Sequence, residues 1–302
     1  MSIRKLIVLV GPTAVGKTGI AIRLAKHFRT EVISADSRQV FREMEIGTAK
    51  PSVEELSAVP HHFINSRSIS QGYDAGTYGA EAREMLDKIF DRYPIAVLCG
   101  GSGLYIKAVL EGFDDYPSIP AQIREDLIGE FASQGLPWLQ REVSTNDPEY
   151  FEVVDRNNPQ RLMRALEVIR FTGKPFSGFQ KKKRKMLPFE VVKIGLTLDR
   201  EVLYQRIDSR MDEMIAKGLF EEAKALFPQR NLPALQTVGY QEIFDFLDGK
   251  HDREEAIRLL KRNTRHYAKR QLTWFTKDKE IRWFSHDDWE GILSACELNQ
   301  TK

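Results

Sequence analysis

Cysteine is nearly absent from the 302 residues: only Cys99 and Cys296 occur, far apart in the chain. That excludes a disulfide-stapled secreted scaffold and fits a reduced compartment. No CxxC or HExxH spacing exists, and the adjacent His61 and His62 cannot share one helix face, so a structural zinc site is not expected. No apolar run approaches the roughly 20 residues that span a bilayer. The run Leu6–Val10 is too short for a signal-peptide core and leads straight into Gly11-Pro12. A strong charge bias is missing too. The 45 basic and 43 acidic residues leave a net charge of +2, so any nucleic-acid surface has to be local. What is present, 42% hydrophobic and 29% charged residues, is an ordinary globular balance. The chain reads as cytoplasmic and monomeric, with no membrane association and no obligate protein partner evident. Its length suits a core domain carrying an inserted module.

The β-branched run Ile3–Val10 has the pattern of a buried parallel strand, followed by a glycine-rich turn and a helical pattern to about Phe28. Glu31–Ala35, Ile95–Cys99 and Val191–Leu198 read as further strands, with a late one at Ile281–Phe284. Strands alternating with helices predict an α/β fold, a parallel sheet flanked by helices with its ligand at the strands' carboxyl ends. From about Pro117 to Pro188 no strand-like run appears, and helical stretches alternate with loops carrying Pro137, Pro148, Pro159 and Pro175. The reading is a core over 1–116, an inserted α-helical domain over 117–188, and a core continuation with C-terminal helices over 189–302.

Gly11-Pro12-Thr13-Ala14-Val15-Gly16-Lys17-Thr18 matches GxxxxGK[ST] between a strand and a helix, making the core P-loop NTPase-like. Backbone N–H groups and the helix N-terminus face a polyphosphate there, Lys17 adds a full charge, and the Thr18 hydroxyl suits Mg²⁺. The motif alone is an ATP-binding signature, yet the third strand ends Leu98-Cys99-Gly100-Gly101 without the usual Walker B acid, and no guanine-reading N/TKxD occurs. Asp36 follows the second strand directly. It suits a metal ligand or general base, and equally a turn or N-cap aspartate before Ser37.

Beyond the loop, the chain resembles the tRNA dimethylallyltransferases, also called tRNA isopentenyltransferases. The resemblance rests on Ile33-Ser34-Ala35-Asp36-Ser37-Arg38-Gln39-Val40-Phe41, Gly47-Thr48-Ala49-Lys50-Pro51, Pro60-His61-His62 and Gly100-Gly101-Ser102-Gly103-Leu104-Tyr105. It continues through Arg161-Leu162-Met163-Arg164-Ala165-Leu166-Glu167, Thr237-Val238-Gly239-Tyr240-Gln241-Glu242 and Lys269-Arg270-Gln271-Leu272-Thr273-Trp274-Phe275. These segments occur in the family's order from residue 11 to 275. The resemblance implies transfer of the dimethylallyl group of dimethylallyl diphosphate to N6 of adenosine 37, in tRNAs reading codons that begin with U, with Mg²⁺. It implies that Asp36 is the general base, and that Lys17, Thr18 and Arg210 act on diphosphate and metal. It further implies that Asp36, Ser37, Arg38, Gln39, Ser102, Arg124, Gln160, Arg161, Leu162, Met163 and Arg164 lie along the tRNA. Two positions depart from the pattern: Ser102 replaces the usual threonine, keeping the hydroxyl, and Thr276 stands where basic residues are common.

The chemistry suits these residues. An exocyclic adenine amine, its lone pair conjugated into the ring, must lose a proton as it attacks an allylic carbon, so a carboxylate at Asp36 helps. The departing diphosphate gains charge, so fixed cations lower the barrier; Lys17, Arg210 and, through its hydroxyl, Ser102 are the other catalytic candidates. Arg210 falls on the stripe Leu203, Ile207, Met214, with Arg206 beside it, and a guanidinium on an apolar face calls for an anion or a structural carboxylate. On the long helix from about Arg253 to Phe275, Arg258, Lys261, Arg262, Arg265 and Lys269 project within about 100° of one another. That face is expected to meet the phosphates of an anticodon stem-loop, the bland alternative being a solvated face. Lys181–Lys185 is either a backbone grip or a solvated loop. His61, His62 and Tyr105 read as structural or site-lining. Three rivals remain: an adenylate isopentenyltransferase, a P-loop small-molecule kinase, and an RNA-binding protein with a relic loop.

Overall fold

The computed structural model describes residues 4–112, 119–180 and 187–297. The basic run at 181–185 and the expected change of character near Pro117 lie outside the described residues. The chain forms two compact units, one made of Met1–Gly112 with Met186–Lys302, the other of Phe113–Lys185.

The first unit is built on a six-stranded sheet of β1 (Lys5–Val10), β2 (Val32–Ser34), β3 (His61–His62), β4 (Ile95–Gly100), β5 (Glu190–Thr197) and β6 (Arg282–Ser285). Its order is β3-β2-β4-β1-β5-β6, and every pairing is parallel. The α/β expectation holds. β3 is absent from the sequence reading because two half-buried histidines carry no periodicity. β1 is central and buried along its length, so its side chains serve two cores in alternation. Ile7 and Leu9 pack in one apolar cluster with α1 (Lys17–His27), while Leu6, Val8 and Val10 pack in the other with α3 (Ala75–Phe90) and α4 (Gly103–Leu110). α2 (Val53–Ala58) lies between them in the chain and opens on a Ser52–Glu55 capping box. Lys5, the buried charge of β1, donates from Nζ to the Cys296 carbonyl at 2.9 Å. The same strand position therefore caps the carboxyl end of the last helix.

The second unit, as described, is helical: α5 (Ala121–Asn146), interrupted at Gly135, then α6 (Pro148–Val153) and α7 (Pro159–Thr172). Its core gathers Leu127, Trp138, Leu139, Leu162 and Leu166. Back in the first unit, α8 (Arg200–Ala216), α9 (Leu219–Leu226), α10 (Gln241–Leu247) and α11 (Arg253–Phe275) precede β6 and α12 (Trp289–Glu297). A third cluster joins α8–α11 to Val40, Phe41 and Met44, the stretch just after β2. Among the described residues no helix is long and apolar enough to cross a membrane.

Candidate active site

At the carboxyl edge of the sheet the chain turns from β1 into α1 through the phosphate loop. Gly16 caps α1 at φ 101° with no side-chain acceptor, so the first N–H groups of the helix stay directed outward. Ala14 also sits in the left-handed region, at φ 65°, a conformation costing roughly 1–2 kcal/mol for a residue with a Cβ. Strain of this kind is held in place by its surroundings and marks a shaped loop.

Lys17 folds back over the loop, donating to the Gly11 and Pro12 carbonyls at 3.0 and 2.7 Å. Burial lowers its pKa from 10.5 to about 8; the nearby Arg210 guanidinium adds to this and the Asp36 carboxylate opposes it. Arg210 reaches across from α8 and donates to Thr13 Oγ1 at 2.8 Å. The stripe residues Leu203, Ile207 and Met214 are buried as expected, Met211 is buried beside them, and burial holds the Arg210 guanidinium below the ordinary arginine range.

Asp36 stands one residue past Ala35 at the end of β2. Its Oδ1 accepts from the Arg38 and Gln39 N–H groups at 2.8 and 3.2 Å, the turn role anticipated for an aspartate here. Among the described residues nothing donates to Oδ2. One oxygen thus fixes the carboxylate and leaves the other for chemistry. Ser102 completes this corner: its Oγ accepts from the Ser37 N–H at 2.9 Å and donates to Ser37 Oγ at 3.2 Å. Gln39 turns inward, donating to the Thr48 and Ala49 carbonyls, and Arg38 reaches the Pro233 carbonyl.

Lys17, Thr18, Asp36 and Arg210 line one cavity of about 700 Å³ together with Tyr267 and Gln271 from α11. The sequence reading gave neither of the last two a place in the site. Gln271 is buried; its Oε1 accepts from the Thr13 N–H at 2.8 Å and its Nε2 donates to the Gly101 carbonyl at 3.0 Å. It ties the phosphate loop to the end of β4. A Cβ at Gly101 would stand 2.2 Å from that amide nitrogen, so only glycine permits the approach. A glutamine on the otherwise apolar side of a helix was the available signal. For a divalent cation the donor set is hard oxygen: Thr18 hydroxyl and Asp36 carboxylate. Among the described residues no three His, Cys, Asp or Glu side chains gather. These residues fit Mg²⁺ that arrives with phosphate oxygens and keeps several waters.

The remaining RNA candidates divide. Arg124, Gln160, Arg161, Leu162, Met163 and Arg164 belong to the helical unit. There the side chains of Leu162 and Met163 are buried in the core, while Gln160 and Arg161 are exposed. Arg124 and Arg164 both pair with the buried Glu167 carboxylate, at 2.5 and 2.9 Å. The cationic face of α11 is also partly neutralised. Arg258 pairs with Glu255, Lys261 with Asp212 and Arg265 with Asp208, so these three are engaged within the helix and against α8 in the RNA-free chain. Lys269 is exposed and forms no ion pair among the described residues. His62 hydrogen-bonds the buried Glu31 at 2.7 Å and His61 lines the cavity, the structural roles expected.

The family model described as IPP transferase matches residues 39–278. The tRNA dimethylallyltransferase of Cytophaga hutchinsonii is 53% identical over 96% of both chains, and that of Christiangramia forsetii 52% identical over 94% of both. Among solved structures, the tRNA isopentenylpyrophosphate transferase of Bacillus halodurans is 40% identical with a TM-score of 0.71, covering 96% of this chain and 94% of that one. A eukaryotic dimethylallyltransferase acting on tRNA gives a TM-score of 0.79 at 27% identity, covering 95% of this chain and 75% of that one. With a matching family model over most of its length and relatives above half identity, this chain belongs to the IPP transferase family.

Proposed function

We propose that the chain transfers the dimethylallyl group of dimethylallyl diphosphate to N6 of adenosine 37, in tRNAs reading codons that begin with U, and releases diphosphate in the cytoplasm. The observation that carries this reading is the cavity that Asp36 shares with Thr13, Ala14, Gly16, Lys17 and Thr18 of the phosphate loop, with Arg210 bonded to that loop. The loop N–H groups, Lys17 and Arg210 hold the diphosphate, which gains charge as it leaves; preorganised cations stabilise that charge more than they stabilise the bound donor. Asp36 takes the N6 proton through Oδ2, its Oδ1 being occupied by the turn. Ser102 fixes Ser37 beside it and keeps the turn in register. Thr18 would hold Mg²⁺, which would supply charge neutralisation on the diphosphate oxygens. Residues 117–188 serve as the RNA-contacting insertion, through Gln160, Arg161 and the outer faces of Arg124 and Arg164, with Lys269 on the other unit.

Mass spectrometry of an anticodon stem-loop incubated with protein, donor and Mg²⁺ tests this. The expected product is heavier by one dimethylallyl group replacing a hydrogen at adenosine 37, and Asp36→Ala is expected to keep RNA binding while losing most transfer. An unchanged RNA mass, with AMP modified instead or ATP consumed, would replace this reading with the adenylate or kinase one.

A further inference from the structure

We propose that Arg206 is a further cation on the donor diphosphate and that His286, which lies outside the matched family segment, is the residue that positions it. This rests on the donor reading given above. Arg206 lies one helical turn before Arg210 on α8, and both line the cavity that holds the phosphate loop. Arg206 forms no ion pair among the described residues. Its Nη2 is instead 2.8 Å from His286 Nε2. A guanidinium has no acceptor, so it donates, and Nε2 must carry the lone pair. The imidazole is then neutral with its proton on Nδ1. That Nδ1 is buried and finds no hydrogen-bond partner among the described residues, an arrangement folded proteins rarely tolerate without a reason.

The imidazole stands where it can serve the loop. It follows β6 directly, and its ring carbons come within 3.5 to 3.9 Å of the position a Cβ would take on Gly16. A carboxylate in the place of His286 would orient Arg206 equally well but would cancel its charge beside the loop that receives an anion. A neutral acceptor orients the guanidinium and leaves its charge for the ligand.

Calorimetric titration with inorganic pyrophosphate and Mg²⁺ tests the proposal, alongside KM for donor and for tRNA. Arg206→Met is expected to weaken pyrophosphate binding about tenfold or more, the scale of one charge-assisted hydrogen bond. His286→Phe, which keeps the ring's bulk and removes the acceptor, is expected to weaken it by a similar factor. His286→Gln returns an acceptor near the Nε2 position and is expected to recover to within about threefold of wild type, with KM for tRNA unmoved by more than about twofold in all three. Thermal melts accompany each variant, and Arg206→Lys replaces Arg206→Met should the latter not fold. Wild-type affinity in His286→Phe, equal losses in the Phe and Gln variants, or a tRNA KM that rises as far as the donor KM would overturn it. Pyrophosphate binding by a wild-type protein that modifies no tRNA would count against the acceptor and leave this inference standing.

Discussion

Removing the Gln271 amide isolates one link between the sheet and the phosphate loop. In Gln271→Ala, the Thr13 N–H loses its acceptor and the Gly101 carbonyl its donor. Each lost bond is worth about 0.5–1.5 kcal/mol net, and each group left unpaired costs about 1–3 kcal/mol where water cannot enter. Because the pair borders an open cavity, water takes up part of that penalty, and the expected loss is about 2–4 kcal/mol. Gln271→Glu separates stability from function. It preserves an oxygen for Thr13 but sets a carboxylate against the Gly101 carbonyl and adds negative charge beside the loop. Its folding loss is expected to be similar, while KM for the donor rises a further tenfold or more through repulsion of the diphosphate. Urea unfolding gives the first quantity, and initial-rate kinetics at saturating tRNA the second. A Gln271→Ala loss below about 1 kcal/mol with unchanged donor KM would refute the idea that this amide ties the loop.

Three further outcomes follow. Lys17 is cationic in the free protein only below its lowered pKa of about 8, so donor KM should be flat to about pH 7.5 and then climb toward tenfold per unit as the ammonium is lost, proton uptake accompanying binding above pH 8; a flat profile from pH 7 to 9.5 would contradict this. Glu222 accepts from the Glu45, Ile46 and Gly47 N–H groups and from the Tyr240 hydroxyl at 2.7 to 3.0 Å, so Glu222→Ala should lose about 3 kcal/mol in urea unfolding and open residues 44–50 to protease, with Glu222→Gln losing less. Lys269→Ala should lower the slope of log affinity against log salt for tRNA by about 0.7–0.9, whereas Arg258→Ala, whose guanidinium is held by Glu255, should leave the slope unchanged; equal slopes for both would return Lys269 to a solvated surface.

Much of the fold was readable because its strands are buried on both faces. β1, β2 and β4 appear as short apolar runs containing β-branched residues, β5 as a similar run interrupted by Lys193 and Gly195, and the phosphate loop announces itself by spacing alone. β3 was not readable, since pairing His61 with Val32 depends on neighbours rather than on pattern. In the site, Lys17 and Asp36 could be named from motif and strand end, while Arg210 came from the family resemblance and only its burial could be checked from the helical stripe. Gln271 could not be assigned its work, because its partner Thr13 is 258 residues away and helical periodicity reports only which face a residue shares. The same limit applies to α11. Spacing gathers Arg258, Lys261 and Arg265 correctly on one face, but it cannot report that α8 brings Asp208 and Asp212 against it.

The sorting of these cations carries a general argument about where this molecule meets anions. Lys17 is held by two carbonyls, Arg210 by a hydroxyl and Arg206 by an imidazole, and among the described residues none of the three forms an ion pair. Neutral acceptors fix their geometry without cancelling their charge, at the expense of the desolvation that pulls Lys17 down to about 8. Arg258, Lys261 and Arg265 are each committed to a carboxylate of their own. A count of lysines and arginines treats both groups alike, and the near-neutral net charge of +2 hides them both. The identity of the acceptor separates them: a cation positioned by a neutral group retains the field that an incoming diphosphate can use, whereas one positioned by a carboxylate has already spent it on the fold.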